Sequence, residues 1–220
     1  MATKKRTSKA VLYQQPDEFK LDLGSGPRPA PGYKGVDVVP GVTDFTFDLW
    51  NGAQWPWKDS SVDALRACHV IEHIDALYIK AYNATRIDAF LFFFSEAYRV
   101  AKPGAVFDLQ WPALKNVRAF QDPTHRRFIP AEQMGYLSVE GRQQLTVGHY
   151  VCSANWVTES VIPTILIKPE TDEDRAMALR ADSSDEKQKW MLAKQEEQRR
   201  LYQETWDWSQ DFIAVLRAIK

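Results

Sequence analysis

Leu21-Asp22-Leu23-Gly24-Ser25-Gly26 decides the fold: an apolar strand that ends beside an acid and breaks at two glycines one residue apart. Glycine carries no Cβ, so a ligand can come close to the backbone of such a turn. In an open parallel sheet the turn after the first strand lies at the switch point in strand order, where ligands bind. The chain continues through Pro27, Pro29 and Pro31 into Gly35-Val36-Asp37, a second strand ending in a carboxylate. An acid placed there is suited to accept both hydroxyls of a ribose. Alone, a Gly-x-Gly turn is weak evidence, because many such turns only connect a strand to its neighbour.

Working outward from Phe19, short apolar runs alternate with helical patterns, as in a parallel α/β sheet. The pattern predicts strands near 19–23, 34–39, 44–48, 62–68, 104–111 and 161–168, and a further one within 145–157. A helix is predicted from Asp88, as N-cap, to Ala101. Ile87, Leu91, Phe94, Tyr98 and Ala101 recur at three- and four-residue spacing, and Lys102-Pro103-Gly104 ends it. Residues 1–17 read as a flexible lead-in, 18–170 as the α/β domain and 171–220 as a helical C-terminal extension. Within that extension, 171–205 mixes charges of both signs and reads as one or two solvated helices with a break at Ser183-Ser184. The last segment, with Trp208, Phe212, Val215, Leu216 and Ile219, reads as a helix with one apolar face. It is expected to dock on the domain or on a second copy, making a homo-oligomer through the C-terminal helices.

Composition narrows the function classes. The 220 residues are 45% hydrophobic and 26% charged, enough for a full-sized core. A net charge of −1 gives no surplus of cations for a polyanion. Only Cys68 and Cys152 are present, which fits a reducing cytoplasm rather than a disulfide framework. Lys4, Lys5, Arg6 and Lys9 have no apolar run behind them, so a signal peptide is not expected. Phe90-Leu91-Phe92-Phe93-Phe94 is too short to span a bilayer, and no membrane partner is expected. The eight tryptophans are many for this length and suggest ligand or partner surfaces beyond the core.

Several segments, taken in order, resemble a known family. They are Leu21–Gly26, Gly35-Val36-Asp37, Phe47-Asp48-Leu49, Pro56–Asp63, His69-Val70-Ile71-Glu72-His73-Ile74 and Glu96-Ala97-Tyr98-Arg99-Val100-Ala101-Lys102-Pro103-Gly104. The order is similar to that of class I S-adenosylmethionine-dependent methyltransferases, in the type 11-like subgroup with a His-x-x-Glu-His segment after the fourth strand. The resemblance covers residues 19–138. It implies a Rossmann-like sheet of seven strands, mostly parallel with one antiparallel strand, and S-adenosyl-L-methionine as cofactor. The cofactor set it implies is Asp22, Gly24, Ser25, Gly26, Asp37, Val38, Asp48, Leu49 and His69. Gly24 and Gly26 would flank the methionine part, Asp37 the ribose, and Asp48-Leu49 the adenine, with His69 under the cofactor.

Only eight residues separate Gly26 from Gly35, whereas a crossover between parallel strands ordinarily needs about a dozen or more. The first helix is therefore expected to be shortened or missing. That weakens a dinucleotide reading, which needs a helix N-terminus facing a pyrophosphate. A sulfonium cofactor without phosphates loses little by it.

His69-x-x-Glu72-His73 also matches the spelling of inverted zinc peptidases. That chemistry needs both histidines on one helical face and a third ligand. Here Val62–Cys68 reads as a strand running into His69, so a zinc hydrolase ranks below the methyltransferase and no metal is expected. The plainer reading makes His69 and His73 turn residues.

The acceptor side points to Trp111-Pro112-Ala113 and to Asp122-Pro123-Thr124-His125-Arg126-Arg127-Phe128, which resembles a segment bordering the substrate pocket in the same subgroup. His125 is a base or substrate contact, and Arg126 or Arg127 a clamp for a carboxylate or phosphate. The competing reading is Asp-Pro turn chemistry with surface-paired arginines. Ala67-Cys68-His69-Val70 lacks the Asn/Asp-Pro-Pro-aromatic segment of amine-directed DNA methyltransferases, which disfavours a nucleic-acid base as direct substrate. A small molecule, a sugar or lipid intermediate, or a peptide group is the expected acceptor. The alternative of a different class is a non-catalytic cofactor-binding domain acting as an interaction scaffold.

Overall fold

The computed structural model describes residues 18–83, 86–165 and 209–220, with positions 189, 190 and 193 besides. In chain order the elements are β1 (Lys20–Leu23), β2 (Lys34–Asp37), β3 (Phe45–Thr46), β4 (Val62–Cys68), β5 (Tyr78–Lys80) and β6 (Arg86–Asp88), then α1 (Ala89–Val100) and β7 (Ala101–Pro112). The short helices α2 (Arg118–Gln121) and α3 (Val139–Gln144) lead to β8 (Trp156–Ile165) and β9 (Ser209–Ala218). Seven strands form one sheet in the order β3-β2-β1-β4-β7-β9-β8, and β5 and β6 pair as a separate hairpin. Every neighbouring pair in the sheet is parallel except those of β9, which is antiparallel to both β7 and β8. The Rossmann-like sheet with one antiparallel strand is thus present, and a loop without helix joins β1 to β2, as the proline-rich linker predicts.

Leu21, Leu23, Leu65 and Phe107 are fully buried and face the layer formed by α1. The helix starts where Asp88 Oδ1 accepts the Phe90 N–H at 2.9 Å, an N-cap that satisfies one free donor. Phe94 packs on Phe107 with ring centroids 5.8 Å apart, and Phe107 on Trp156 at 5.4 Å. Each such ring removed from water contributes roughly 1.5–3 kcal/mol. Trp55, Trp111 and Trp156 belong to this core rather than to a ligand surface. Their ring N–H groups donate to the carbonyls of Leu49, Ile129 and Phe94. The opposite face of the sheet carries a polar row in register, Asp22 beside Arg66 beside Asp108. Burial pushes the Asp108 carboxyl up, against the pull of Arg66.

Three expectations need correction. The last segment is not a helix: residues 209–218 are β9, with Phe212, Ala214, Leu216 and Ala218 buried at every second position. A strand there gives the open edge of β7 a partner for its backbone groups, which a helix would leave unpaired. Of the two placements expected for its apolar face, the domain or a second copy, Phe212 and Leu216 are buried against the domain's own sheet. Nor is there a strand over 145–155; β8 begins at Trp156, after a turn in which Thr146 adopts φ +59°. The β5–β6 hairpin is an element that the sequence pattern did not signal. The charged span 171–205 lies outside the described residues save positions 189, 190 and 193, which are helical. Among the described residues no helix is long and apolar enough to cross a membrane.

Candidate functional site

β1, β2 and β4 end side by side, and the loops that leave them enclose a cleft of about 310 Å³. Gly24, Asp37, Val38, Asp48, Leu49 and His69 all line it, with the aromatic rings of Phe47 and Trp50 completing the wall. Gly24 sits at φ +66°, where a Cβ would come within 2.5 Å of a Val70 methyl, so both conformation and space call for glycine. The turn is pinned by Val36, whose carbonyl accepts from the N–H of Gly24 at 2.7 Å and of Ser25 at 3.2 Å.

Asp37 is held by backbone donors on both oxygens, Gly26 N–H on Oδ2 and Val39 N–H on Oδ1, each at 2.9 Å. A carboxylate has about four lone-pair positions, so each oxygen keeps one for a further donor. Two vicinal hydroxyls match that arrangement.

Asp22, Ser25 and Gly26 do not line the cleft; they shape it. The buried Asp22 carboxylate accepts from Ala30 N–H at 2.8 Å and from Arg66 at 3.1 Å, tying the proline-rich loop to β4. Ser25 Oγ bonds Thr43 and the Gly26 carbonyl.

His69 follows β4 directly at φ +56°, a left-handed conformation uncommon outside glycine. Its Nδ1 lies 3.2 Å from Glu72 Oε1 and its Nε2 3.4 Å from Asp211 Oδ2. Both acids are buried. Hydrogen bonds donated to Asp211 and then to Glu72 raise the imidazole to about 9, outweighing its partial burial. His69 is therefore a cation at neutral pH. Burial pushes the Asp211 carboxyl up, but bonds from His69 and Gln110 more than offset this and hold it below its ordinary range. Burial raises the Cys68 thiol, which donates to Gln110 Oε1 at 3.4 Å.

The Asp122–Phe128 loop is clamped above this cluster, the N–H groups of Arg126 and Arg127 donating to the Glu72 carbonyl at 2.8 and 3.0 Å. His125 does not itself line the cleft; the clamp sets it against His73, which does. Its ring meets His73 edge to face at 4.8 Å, and its Nε2 lies 4.0 Å from Glu72 Oε1. His125 Nδ1 sits 2.8 Å from the Ala119 carbonyl, an acceptor only, so Nδ1 carries a proton and donates it there.

The two arginines part company. Arg126 is exposed and bonds the Pro123 carbonyl at 3.1 Å. Arg127 braces the loop, donating to the carbonyls of Ile74 and Asp75 and, at 3.0 Å, to the Asp88 carboxylate that caps α1. It also edges a second cleft of about 860 Å³, walled by Tyr78, Phe90, Tyr136 and Tyr150.

Sequence reasoning missed Asp211 as a site residue because it was assigned to a helix far along the chain. Pro112 of β7 pairs in register with Asp211, which brings that acid to the end of the sheet where His69 stands. The alternation Phe212, Ala214, Leu216 was the signal that could have found it.

No known family model matches the chain, and no curated protein matches it in sequence. Among solved structures it is similar to a SAM-dependent methyltransferase from Archaeoglobus fulgidus, at 15% identity and a TM-score of 0.52, covering 91% of this chain and 86% of that one. It is also similar to a chain in the complex of the Haloferax volcanii Trm112 methyltransferase activator with a methyltransferase (13% identity, TM-score 0.49, 94% and 86% covered). A third is the YcgJ protein of Bacillus subtilis (13% identity, TM-score 0.46, 92% and 93% covered). The first likeness shows that this chain has the fold of SAM-dependent methyltransferases.

Proposed function

We propose that the chain is an S-adenosyl-L-methionine-dependent methyltransferase, acting on a small molecule, a sugar or lipid intermediate, or a peptide group. One observation carries the reading: six of the nine residues that the family resemblance implies for the cofactor, Gly24, Asp37, Val38, Asp48, Leu49 and His69, line a single cleft at the switch point of the sheet. Asp37 would take the ribose hydroxyls, the Gly24 backbone would face the methionine part, and Leu49 with Phe47 would cover the adenine.

Transfer is an in-line displacement in which the acceptor bonds the methyl carbon and the carbon–sulfur pair stays on sulfur. The protein's part is to align the partners and keep water out. His69, already protonated, serves as a fixed cation rather than as a base. His125, held through Nδ1 by the Ala119 carbonyl, would contact the substrate on the acceptor side. The unpaired Cys68 and Cys152 suit a reducing, cytoplasmic setting.

Titration calorimetry with S-adenosylmethionine and S-adenosylhomocysteine tests the cofactor assignment. Saturable one-to-one binding is expected, weakened on the order of tenfold or more in Asp37→Ala, in line with the loss of charge-assisted bonds. No binding at millimolar ligand, or binding indifferent to Asp37→Ala, overturns it. Transfer of a labelled methyl group into metabolite pools then separates an enzyme from a scaffold.

A further inference from the structure

We propose that Glu72, His73 and His125 form a binding site for a divalent transition-metal ion of the zinc class, beside the cofactor cleft and independent of His69. One oxygen of Glu72 and one ring nitrogen from each histidine lie within 4.8 Å of one another. Zinc ligands at about 2.0–2.1 Å from the ion stand roughly 3.3 Å apart in a tetrahedral site, so side-chain adjustments of about an ångström would close it.

Three further observations on the same residues point to a ligand. First, Glu72 is 2% exposed, and its Oε2 is buried with no hydrogen-bond partner among the described residues. Oε1 of the same carboxylate lies 3.2 Å from His69 Nδ1 and 4.0 Å from His125 Nε2, so the carboxylate stands beside the histidines with the lone pairs of Oε2 unused. Buried polar atoms without partners are rare, and such an atom calls for an ion or a water.

Second, both histidines are locked in the tautomer that ligation needs. His125 donates through Nδ1 to the Ala119 carbonyl. The Thr124 hydroxyl gives its proton to Asp122 Oδ1 at 2.6 Å, so at 3.0 Å it accepts from His73 Nδ1–H. In the neutral form of each ring the lone pair is then on Nε2. Metal-bound histidines are oriented in this way, one nitrogen tied to a carbonyl or to a carboxylate relay and the other on the ion.

Third, Glu72 and His125 are held together by backbone, because the N–H groups of Arg126 and Arg127 fasten the loop to the Glu72 carbonyl.

His69 is not a ligand in this arrangement, since its two nitrogens already face Glu72 and Asp211. The zinc pattern readable in the sequence, His69-x-x-Glu72-His73, is therefore replaced by one that enlists the distant His125. Two imidazoles with one carboxylate select zinc, cobalt, manganese or ferrous ion over magnesium or calcium, which want oxygen alone. Three protein ligands leave a position open. Because His73 also lines the cofactor cleft, that position would face the methyl donor and take water or an acceptor oxygen. Only this last point rests on the methyltransferase reading.

The test uses the full chain stripped by a chelator, with ZnCl2, CoCl2 and MgCl2 titrated by calorimetry and metal content read by elemental analysis. One Zn2+ or Co2+ per chain is expected, and no Mg2+. Long-range 1H–15N spectra of the wild-type protein should show Zn2+ moving the Nε2 resonances of His73 and His125 and leaving those of His149 in place. This reading holds even if a buried variant fails to fold. Glu72→Gln, His73→Ala and His125→Ala should each weaken binding on the order of 100-fold or more, beyond what loss of an outer-shell partner costs. His149→Ala should leave it unchanged. The proposal is overturned if the stripped protein takes up no metal, if uptake survives His125→Ala, or if His69→Gln abolishes it while His125→Ala does not. Asp37→Ala should keep the metal while losing the cofactor. Failure of the methyltransferase reading and failure of the metal site therefore give different results.

Discussion

His69 is held against its conformational preference. A left-handed backbone at a residue with a Cβ costs on the order of 1–3 kcal/mol, and the carboxylate on each side of the ring helps to hold it. The folded pKa of about 9 lies above the ordinary 6.5, so this contribution is complete below about pH 6.5 and is lost as pH rises through 9. In the metal-free protein, NMR should find the His69 ring still charged at pH 8, while His69→Asn flattens the decline of stability between pH 7 and 10. A ring that titrates near 6.5 would refute the pairing. Gly24, Asp37 and His69 were legible in the sequence because local chemistry fixes them: a turn that excludes Cβ, and acids or imidazoles at strand ends. Asp211 was not legible, because its role depends on a strand pairing that no local pattern reveals.

Elements show the same division. α1 was readable to within a residue at its start, since Asp88 and the aromatic spacing both signal it. Asp88 does two jobs, capping α1 through Phe90 N–H and anchoring Arg127 of the Asp122–Phe128 loop. Asp88→Ala should therefore cost about 2 kcal/mol or more, the sum of a cap and a charged hydrogen bond. Asp88→Asn, which keeps the cap, should cost about half that in chemical denaturation; equal losses would mean that Arg127 contributes nothing through Asp88. β9 was misread because Phe212, Val215, Leu216 and Ile219 fit a helical face while Phe212, Ala214, Leu216 and Ala218 fit a strand. Short apolar runs satisfy both periods, and only the unpaired neighbours in the sheet decide between them. Ile213 and Val215, β-branched and adjacent to these positions, leaned toward the strand.

At the scale of the whole molecule, the last strand along the chain occupies an interior place in the sheet. β9 stands between β7 and β8, so β8 touches the rest of the sheet only through it. During synthesis, β7 must wait with an exposed edge and β8 without a partner until residues 209–218 have emerged from the ribosome. Those residues also deliver Asp211, so the charge that holds His69 arrives after the glycine turn and the other walls of the cleft have been made. A chain stopped before Ser209 should lose β8 along with β9, aggregate through the bare edge and show no cooperative thermal transition. If it melted as sharply as the full chain, the order of assembly would be otherwise. Completion of the site is thereby coupled to the arrival of residues 209–218: a product cut short before Ser209 lacks the strand that joins β8 to the rest of the sheet.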